Sequence, residues 1–312
     1  MSISSQFIYI GCQLGAEKHL KDEIFENHRE LKLSYSQKGL VTFKSEKPLD
    51  EYFELNSILA RTWGWSLKEP YKTAHGAHQW SPDGEIAESL TTTLLKTGNF
   101  VREEIILSPK TTWHGVKKIT EFASRRPGGF FPSTLLDPLS PSRAYLKCIE
   151  SLERFRLEMK PGEHAFEIGS APGGAAWALL KMGLSVTGVD PGKMEKPVLG
   201  HKNFTWIKKS IFQVTPGELK NIDWLFLDKN VEPRESVSAV TETLNFIKSN
   251  PPKALMLTLK LNQWDLLFQI PDILKPLEKY GYTGLHRITQ LHSNAQECCA
   301  CLTHKTLGKL LE

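Results

Sequence analysis

The stretch that most constrains this chain is His164-Ala165-Phe166-Glu167-Ile168-Gly169-Ser170-Ala171-Pro172-Gly173-Gly174. A short, mostly apolar run leads into a glycine-rich loop, and an alanine-rich apolar segment follows, which predicts strand, loop and helix. Downstream, Ser185-Val186-Thr187-Gly188-Val189-Asp190 predicts a second strand ending in a carboxylate. Strand, glycine loop, helix, strand and terminal acid define a βαβ unit with a nucleotide-type cofactor at its carboxyl edge. The loop lacks the G-x-G-x-x-G spacing of a pyrophosphate cradle, because Gly169 and the Gly173-Gly174 pair bracket Ser170-Ala171-Pro172. It suits S-adenosylmethionine, which has no phosphate: the loop backbone can approach the adenosyl group, and the helix N-terminus can face the methionine carboxylate. Asp190 is then placed to accept from ribose hydroxyls. The competing reading is an ordinary tight βα turn with no ligand.

Further strands point polar residues at the same place. Pro141-Ser142-Arg143-Ala144-Tyr145-Leu146-Lys147 predicts the opening of a helix, with Ser142 as N-cap and Arg143 and Lys147 on one face. Asp223 to Asp228 predicts an apolar strand ending in an acid, and Ala254 to Lys260 one ending in a lysine. Ser293-Asn294-Ala295-Gln296-Glu297 leads into a last strand, Cys298 to Leu302. The carboxyl ends of parallel strands face the ligand crevice, so Asp228 and Lys260 converge on the glycine loop. A strand-end Lys or Asp is usually a solvated cap. Lys260, however, follows a wholly apolar strand within Leu-Lys-Leu, where an ammonium needs a partner, and Asp228 is the obvious one. Lys147 and Glu297, taken alone, read equally well as exposed residues.

Over roughly residues 135 to 305 these ordered motifs resemble the FtsJ-like (RrmJ-type) RNA 2′-O-ribose methyltransferases. The resemblance implies a Lys-Asp-Lys-Glu catalytic tetrad at Lys147, Asp228, Lys260 and Glu297. It also implies an S-adenosylmethionine loop at Gly169 to Gly174 flanked by Glu167 and Asp190, with Ser170 where the family has alanine. The fold implied is a Rossmann-like α/β methyltransferase domain, and the reaction is methyl transfer to a ribose 2′-hydroxyl. That reaction is a one-step displacement from a sulfonium, so alignment of the reacting atoms carries most of the catalysis. A free lysine, with a pKa of roughly 10.4, is a poor base at neutral pH; burial and a second lysine lower it, and a carboxylate raises it. Lys260 is expected to steer and deprotonate the hydroxyl, either as base or as electrostatic clamp. Asp228 would orient it, while Lys147 and Glu297 hold the nucleotide and tune the pair. Ser210 stands where many such enzymes place the acid that binds the adenine amine, a departure from the pattern.

Other methyl-transfer chemistries fit less well. Adenine amino-methyltransferases carry an Asn/Asp-Pro-Pro-Tyr type loop where this chain has Asp228-Lys229-Asn230-Val231. Cytosine C5 methylation needs a cysteine nucleophile near that loop, and no cysteine lies between Cys148 and Cys298. Two further classes remain: a methyltransferase acting on another RNA or a non-RNA substrate, and a catalytically silent RNA-binding homologue.

The chain has 312 residues, enough for two or three domains, and 40% apolar content. Its five cysteines form no C-x-x-C pair, and Cys298, Cys299 and Cys301 read as one apolar strand rather than a metal cluster. That usage suits a reducing cytoplasm, and neither a signal peptide nor a bilayer-spanning run is legible. The N-terminal half predicts a strand over Phe7–Cys12, a helix over Ala16–Phe25 and a strand over Leu40–Phe43. A helix over Leu49–Leu59 and a strand over Trp63–Leu67 follow. This order predicts a small ferredoxin-like α+β domain over residues 1–70. A helix near Glu85–Leu95 and a strand near Glu104–Leu107 follow, in a THUMP-like RNA-binding region and basic linker over residues 71–132. The methyltransferase domain covers 133–312. The N-terminal half resembles family members that carry ferredoxin-like and THUMP parts and act on a cytidine of large-subunit ribosomal RNA; the pieces Gly15-Ala16-Glu17-Lys18 and Ala60-Arg61-Thr62-Trp63 carry that likeness. The net charge is only +4, but Lys110, Lys117, Lys118, Arg125, Arg126, Arg143 and Lys147 gather between the halves, interleaved with Trp113, His114, Phe130 and Phe131. Basic groups with aromatics predict contact with RNA, expected to be ribosomal RNA, the alternative being a solvated linker.

Overall fold

The computed structural model describes residues 3–90, 95–121, 123–219, 221–284 and 286–308, and the chain divides into two compact units, Met1–Phe131 and Pro132–Glu312. The first unit is one eight-stranded sheet. Its elements are β1 (Ser4–Gly11), α1 (Glu17–Asn27), β2 (Leu31–Gln37), β3 (Leu40–Asp50), β4 (Thr62–Leu67), β5 (Gly76–Trp80), β6 (Ala87–Ser89), β7 (Phe100–Ser108) and β8 (Thr111–Lys118). The order is β2-β3-β1-β4-β8-β7-β5-β6, antiparallel except for β5 against β7. One sheet therefore runs through residues on both sides of position 70. Tyr35 of β2 meets Trp113 of β8 at 5.9 Å between rings, although three strands lie between theirs, so the sheet is strongly curled. Inside the curl Tyr9, Leu40, Trp80, Ile105 and Phe130 form a buried core.

Several expectations fail in this unit, for reasons visible in the packing. No helix forms over Leu49–Leu59. β3 runs on to Asp50, and the connection to β4 is held from outside by α1. The buried Glu23 carboxylate accepts from Ser57 Oγ at 2.6 Å, Ile58 N–H at 2.6 Å and Leu59 N–H at 3.2 Å, which replaces the bonds a helix would make internally. Of the helix expected over Glu85–Leu95, residues 87–89 form strand β6 on the edge beside β5, and 91–94 lie outside the described residues. The basic linker is largely structured: residues 111–118 are a strand, and Lys117 is buried against Glu103 at 2.9 Å. Phe130 and Phe131 are buried as well, and the Pro127–Gly129 turn is packed, with Gly128 against Trp80 and Phe130. Lys110 is exposed, and Lys118, Arg125, Arg126, Trp113 and His114 are half-buried.

The second unit contains α2 (Ala144–Phe155), β9 (His164–Ile168), α3 (Gly174–Lys181), β10 (Ser185–Val189), α4 (Lys196–Leu199), β11 (Phe204–Ile207) and β12 (Trp224–Asp228). It continues with α5 (Pro233–Phe246), β13 (Ala254–Lys260), β14 (His286–Thr289) and β15 (Glu297–Thr303). The sheet order is β11-β10-β9-β12-β13-β15-β14; the first five strands are parallel and β15 is antiparallel to both neighbours. This is a doubly wound, Rossmann-like arrangement. β9, β12 and β13 are almost wholly buried, which is why they read as continuous apolar runs rather than alternating ones. α3 buries Ala175, Ala176 and Ala178, small side chains that let it lie close to the sheet. Strand order reverses between β9 and β12, and the crevice of an open α/β sheet lies at that switch point. Cys298, Cys299 and Cys301 are buried in β15, and no cluster with metal-binding spacing occurs among the described residues. None of their helices is long and apolar enough to cross a membrane.

Candidate active site

At the switch point lies a cavity of about 450 Å³, within the range of about 300–1,000 Å³ usual for ligand sites. Its wall combines the loop after β9, the ends of β10, β12 and β13, and the start of α2. Glu167, Gly169, Ser170, Ala171, Pro172, Gly174, Asp190, Ser210, Asp228, Lys147 and Lys260 all line it. Two expected residues do not. Gly173, at φ +112°, turns away: a Cβ there would meet Val198 of α4 and the Met194 sulfur, so this glycine is needed for helix packing. Glu297 is buried beneath the wall, where it joins the two lysines.

The glycine loop works by close approach. Gly169 has φ +83°, and a Cβ on it would sit 2.5 Å from the Asp228 carbonyl oxygen, so only glycine lets β9 turn away so near β12. Ser170 Oγ donates to Glu167 Oε2 at 2.6 Å. Burial, with Asp228 and Asp190 adding to it, pushes the Glu167 carboxyl up to about 8 against the pull of that hydroxyl. Asp190 accepts from Ala171 N–H at 3.1 Å and Gly192 N–H at 2.6 Å, which aims its carboxylate into the cavity. Ser210 starts a short 3-10 turn, where it forms a capping box with Gln213. Ser142, Pro191, Lys209, Ile211, Lys229 and Asn230 also line the cavity, and sequence reasoning assigned none of them to a site. Four, Pro191, Lys209, Ile211 and Lys229, directly adjoin Asp190, Ser210 or Asp228, which it did single out. The helix bearing Lys147 begins at Ala144, and the Ser142 Oγ accepts the Ala144 N–H at 3.3 Å.

The four tetrad residues come together from four different elements. Lys147 Nζ stands 3.3 Å from Asp228 Oδ2 and 2.5 Å from Glu297 Oε1. Lys260 Nζ stands 3.2 Å from Asp228 Oδ1 and also bonds Glu297 Oε2. Two ammoniums and two carboxylates thus alternate in a closed ring. Lys260 and Glu297 are direct partners in the β13–β15 ladder, so register alone fixes that side of the ring. Burial works against the Lys260 ammonium, but Asp228 and Glu297 more than offset it and hold its pKa above the usual lysine range. For Glu297 burial is likewise outweighed, by Lys147 and Lys260, and its carboxyl titrates below the usual range.

The donor set fits a cationic, nucleoside-bearing methyl donor. Asp190, the acid expected to meet a ribose, is oriented by backbone N–H groups, and the four lysines on the wall, Lys147, Lys209, Lys229 and Lys260, each stand against a carboxylate rather than facing a polyphosphate site. Residues 141–267 match the model of the FtsJ-like methyltransferase family. Over that stretch the second unit is similar to the FtsJ-like methyltransferases, whose methyl donor is S-adenosylmethionine.

Among curated relatives, the ribosomal RNA large subunit methyltransferase M of Xylella fastidiosa strain M12 is 34% identical over 110 residues, covering 33% of this chain and 30% of that protein. The protein of the same name from Halorhodospira halophila is 31% identical over 125 residues, covering 39% and 35%, and that of Laribacter hongkongensis 29% over 168 residues, covering 51% and 46%. The matched stretches thus span between 30% and 46% of these relatives' length. Among solved structures, TrmN from Thermus thermophilus aligns over 96% of this chain and 99% of its own at 12% identity, with a TM-score of 0.41, too low to carry an inference.

Proposed function

We propose that this protein transfers a methyl group from S-adenosylmethionine to a ribose 2′-hydroxyl of RNA, with ribosomal RNA of the large subunit as the substrate class. The observation that carries the reading is the ring of Lys147, Asp228, Lys260 and Glu297 at the mouth of a cofactor-sized cavity. The relatives named above support the substrate class. When bound, the cofactor supplies an electrophilic methyl on a good leaving group. The chain then has to place the hydroxyl oxygen and deal with its proton. Asp190 and the Gly169–Gly174 loop, with Glu167 behind it, would hold the nucleoside portion, and Ser210 would be the residue offered to its base.

Lys260 enters the cycle as an ammonium, since its carboxylate partners raise its pKa. In that form it donates a hydrogen bond that fixes the 2′-oxygen. After giving its own proton to solvent it accepts the hydroxyl's proton at Nζ. With Lys260 neutral, Lys147 faces the two carboxylates Asp228 and Glu297 alone, and the net negative charge of the ring favours the return of a proton to the Lys260 Nζ.

The first unit we read as a ferredoxin-like part followed by a THUMP-like part that grips RNA. Its strand order β2-β3-β1-β4, with α1 crossing between β1 and β2, supports the first half of that reading. Lys110, Lys118, Arg125, Arg126 and the half-buried Trp113 and His114 are the groups of this unit left to contact RNA once the buried Lys117, Phe130 and Phe131 are removed from the set.

The test uses labelled S-adenosylmethionine and ribosomal RNA from cells lacking this gene, with RNA from cells that have it as control. Incorporation into the first and not the second is expected. Equal incorporation into both, or into neither, contradicts the substrate assignment.

A further inference from the structure

We infer that Glu150, together with the loop of residues 290–296, is a positioning device for the tetrad: it sets where Glu297 stands and, through Glu297, where both lysine ammoniums stand. The inference rests on the reading of this site as a methyl-transfer centre. Glu150 lies on α2 one helical turn after Lys147 and is buried. Its Oε1 accepts the His292 N–H at 2.7 Å and its Oε2 the Ser293 N–H at 2.7 Å. The loop held in this way leads straight into Glu297. Within the loop, Asn294 Oδ1 accepts the Leu291 N–H at 2.8 Å, and Asn294 Nδ2 donates to Glu297 Oε1 at 3.2 Å. Gln290 Nε2 donates to the Ala295 carbonyl at 2.8 Å. At the far end Gln296 Nε2 donates to the Leu261 carbonyl at 2.5 Å, and Leu261 N–H donates to the Gln296 carbonyl at 2.9 Å. Leu261 directly follows Lys260. One loop is therefore bonded to the helix that carries Lys147, to the strand end that carries Lys260, and to Glu297 itself.

The chemistry of Glu150 agrees with this role. Burial raises its pKa, while the bonds from His292 and Ser293 pull the other way. Both its oxygens are taken by backbone donors, and it does not line the cavity, so it acts on no reacting atom. Two bonds from one carboxylate to successive N–H groups fix a loop more sharply than packing could. Without them the segment before β15 keeps only its internal bonds and its pairing with Leu261, and Glu297 loses its fixed height between the lysines.

The test is run on the full chain with Glu150→Ala, Glu150→Gln and both in a Glu297→Ala background. Brief acetic anhydride labelling, read by mass spectrometry, reports the exposure and charge of individual lysines. Labelling of Lys147 and Lys260 should rise severalfold in Glu150→Ala, with other lysines unchanged. In RNA methylation kcat should fall about tenfold or more, corresponding to about 1.4 kcal/mol, with the affinity for S-adenosylmethionine unchanged. Glu150→Gln, which keeps one acceptor, should fall between. In the Glu297→Ala background, changing Glu150 should cost nothing further, because its effect passes through Glu297. Unchanged lysine labelling, or losses that add in the double variant, would overturn the inference. If Glu150→Ala does not fold, Glu150→Gln decides by the same readouts. If the wild-type chain methylates no RNA, the functional reading falls, and the labelling alone still judges the clamp.

Discussion

Each unit of this protein contains a cluster of lysine and carboxylate, and the two clusters differ in what lies beside them. In the first unit Glu103 is wholly buried. Lys117 Nζ stands 2.9 Å from its Oε1, His78 Nδ1 stands 3.0 Å from the same oxygen, and Trp80 Nε1 donates to Oε2. Lys117 also donates to the Arg126 carbonyl at 3.2 Å. Every charge there is committed to a neighbour, so the cluster fastens β5, β7, β8 and the segment beyond them. In the second unit Lys147, Asp228 and Lys260 keep 15–21% of their side-chain surface exposed, on the wall of a cavity. The same pairing physics therefore serves two ends. A cluster sealed in a dry interior specifies structure, and a ring with one side exposed to a cavity can exchange a partner for a substrate hydroxyl.

Substitutions should separate the two clusters. Lys260→Ala is expected to cut methyl transfer by about 10²–10⁴, the usual worth of a positioned proton-transfer group, while calorimetry shows S-adenosylmethionine still bound. Transfer within threefold of wild type would remove Lys260 from the reaction. Glu103→Ala leaves the buried Lys117 unpaired and should destabilise the first unit by about 3–5 kcal/mol in denaturant melts, with cofactor affinity in the second unit unaltered. A loss below about 1 kcal/mol would mean that the cluster is solvated, as surface ion pairs are. Asp190→Ala removes a charged acceptor from the cofactor site and should weaken S-adenosylmethionine binding by about 1.5–3 kcal/mol without shifting the melt of the first unit.

Acid should separate the clusters too, by a smaller effect. His78 titrates below its ordinary 6.5, because burial and Lys117 outweigh Glu103. The stability tied to keeping it neutral is present above pH 6.5 and is lost as pH falls through the depressed value. Glu297 titrates below its ordinary 4.5, so its contribution holds down to that pH and is lost only as pH falls further. Lys260 titrates above its ordinary 10.5, and its contribution is present below that pH and lost as pH rises through the raised value. Between pH 6.5 and 4.5 the first unit should loosen while the second does not. Hydrogen exchange, referenced to intrinsic rates at each pH, would show protection falling first in β5 and β7; an earlier fall in β13 and β15 would reverse the account.

The legibility of the two clusters in the sequence follows from the same contrast. Asp228 and Lys260 each end an apolar strand, and Gly169 to Gly174 follows another, so the open site could be assembled from local runs and a rule about strand ends. The closed cluster could not. Lys117 read as a linker charge because β8 was not recognised as a strand, and Glu103 carries no local signal that it faces inward between Val101 and Ile105. The absent helix over Leu49–Leu59 has the same origin. Its apolar spacing was adequate, but Glu23, on a different element, supplies the bonds that hold the segment irregular. Glu150 was invisible for a related reason, since its partners lie 142 and 143 residues away. Contacts at such separation leave no mark on spacing or periodicity.

The most direct test of the central claim is the position of the transferred methyl. RNA labelled by this protein is hydrolysed with alkali, which cannot cleave beside a 2′-O-methyl ribose. The open tetrad predicts label in alkali-resistant dinucleotides; label released in mononucleotides would mean base methylation and would contradict the roles given to Lys147, Asp228, Lys260 and Glu297.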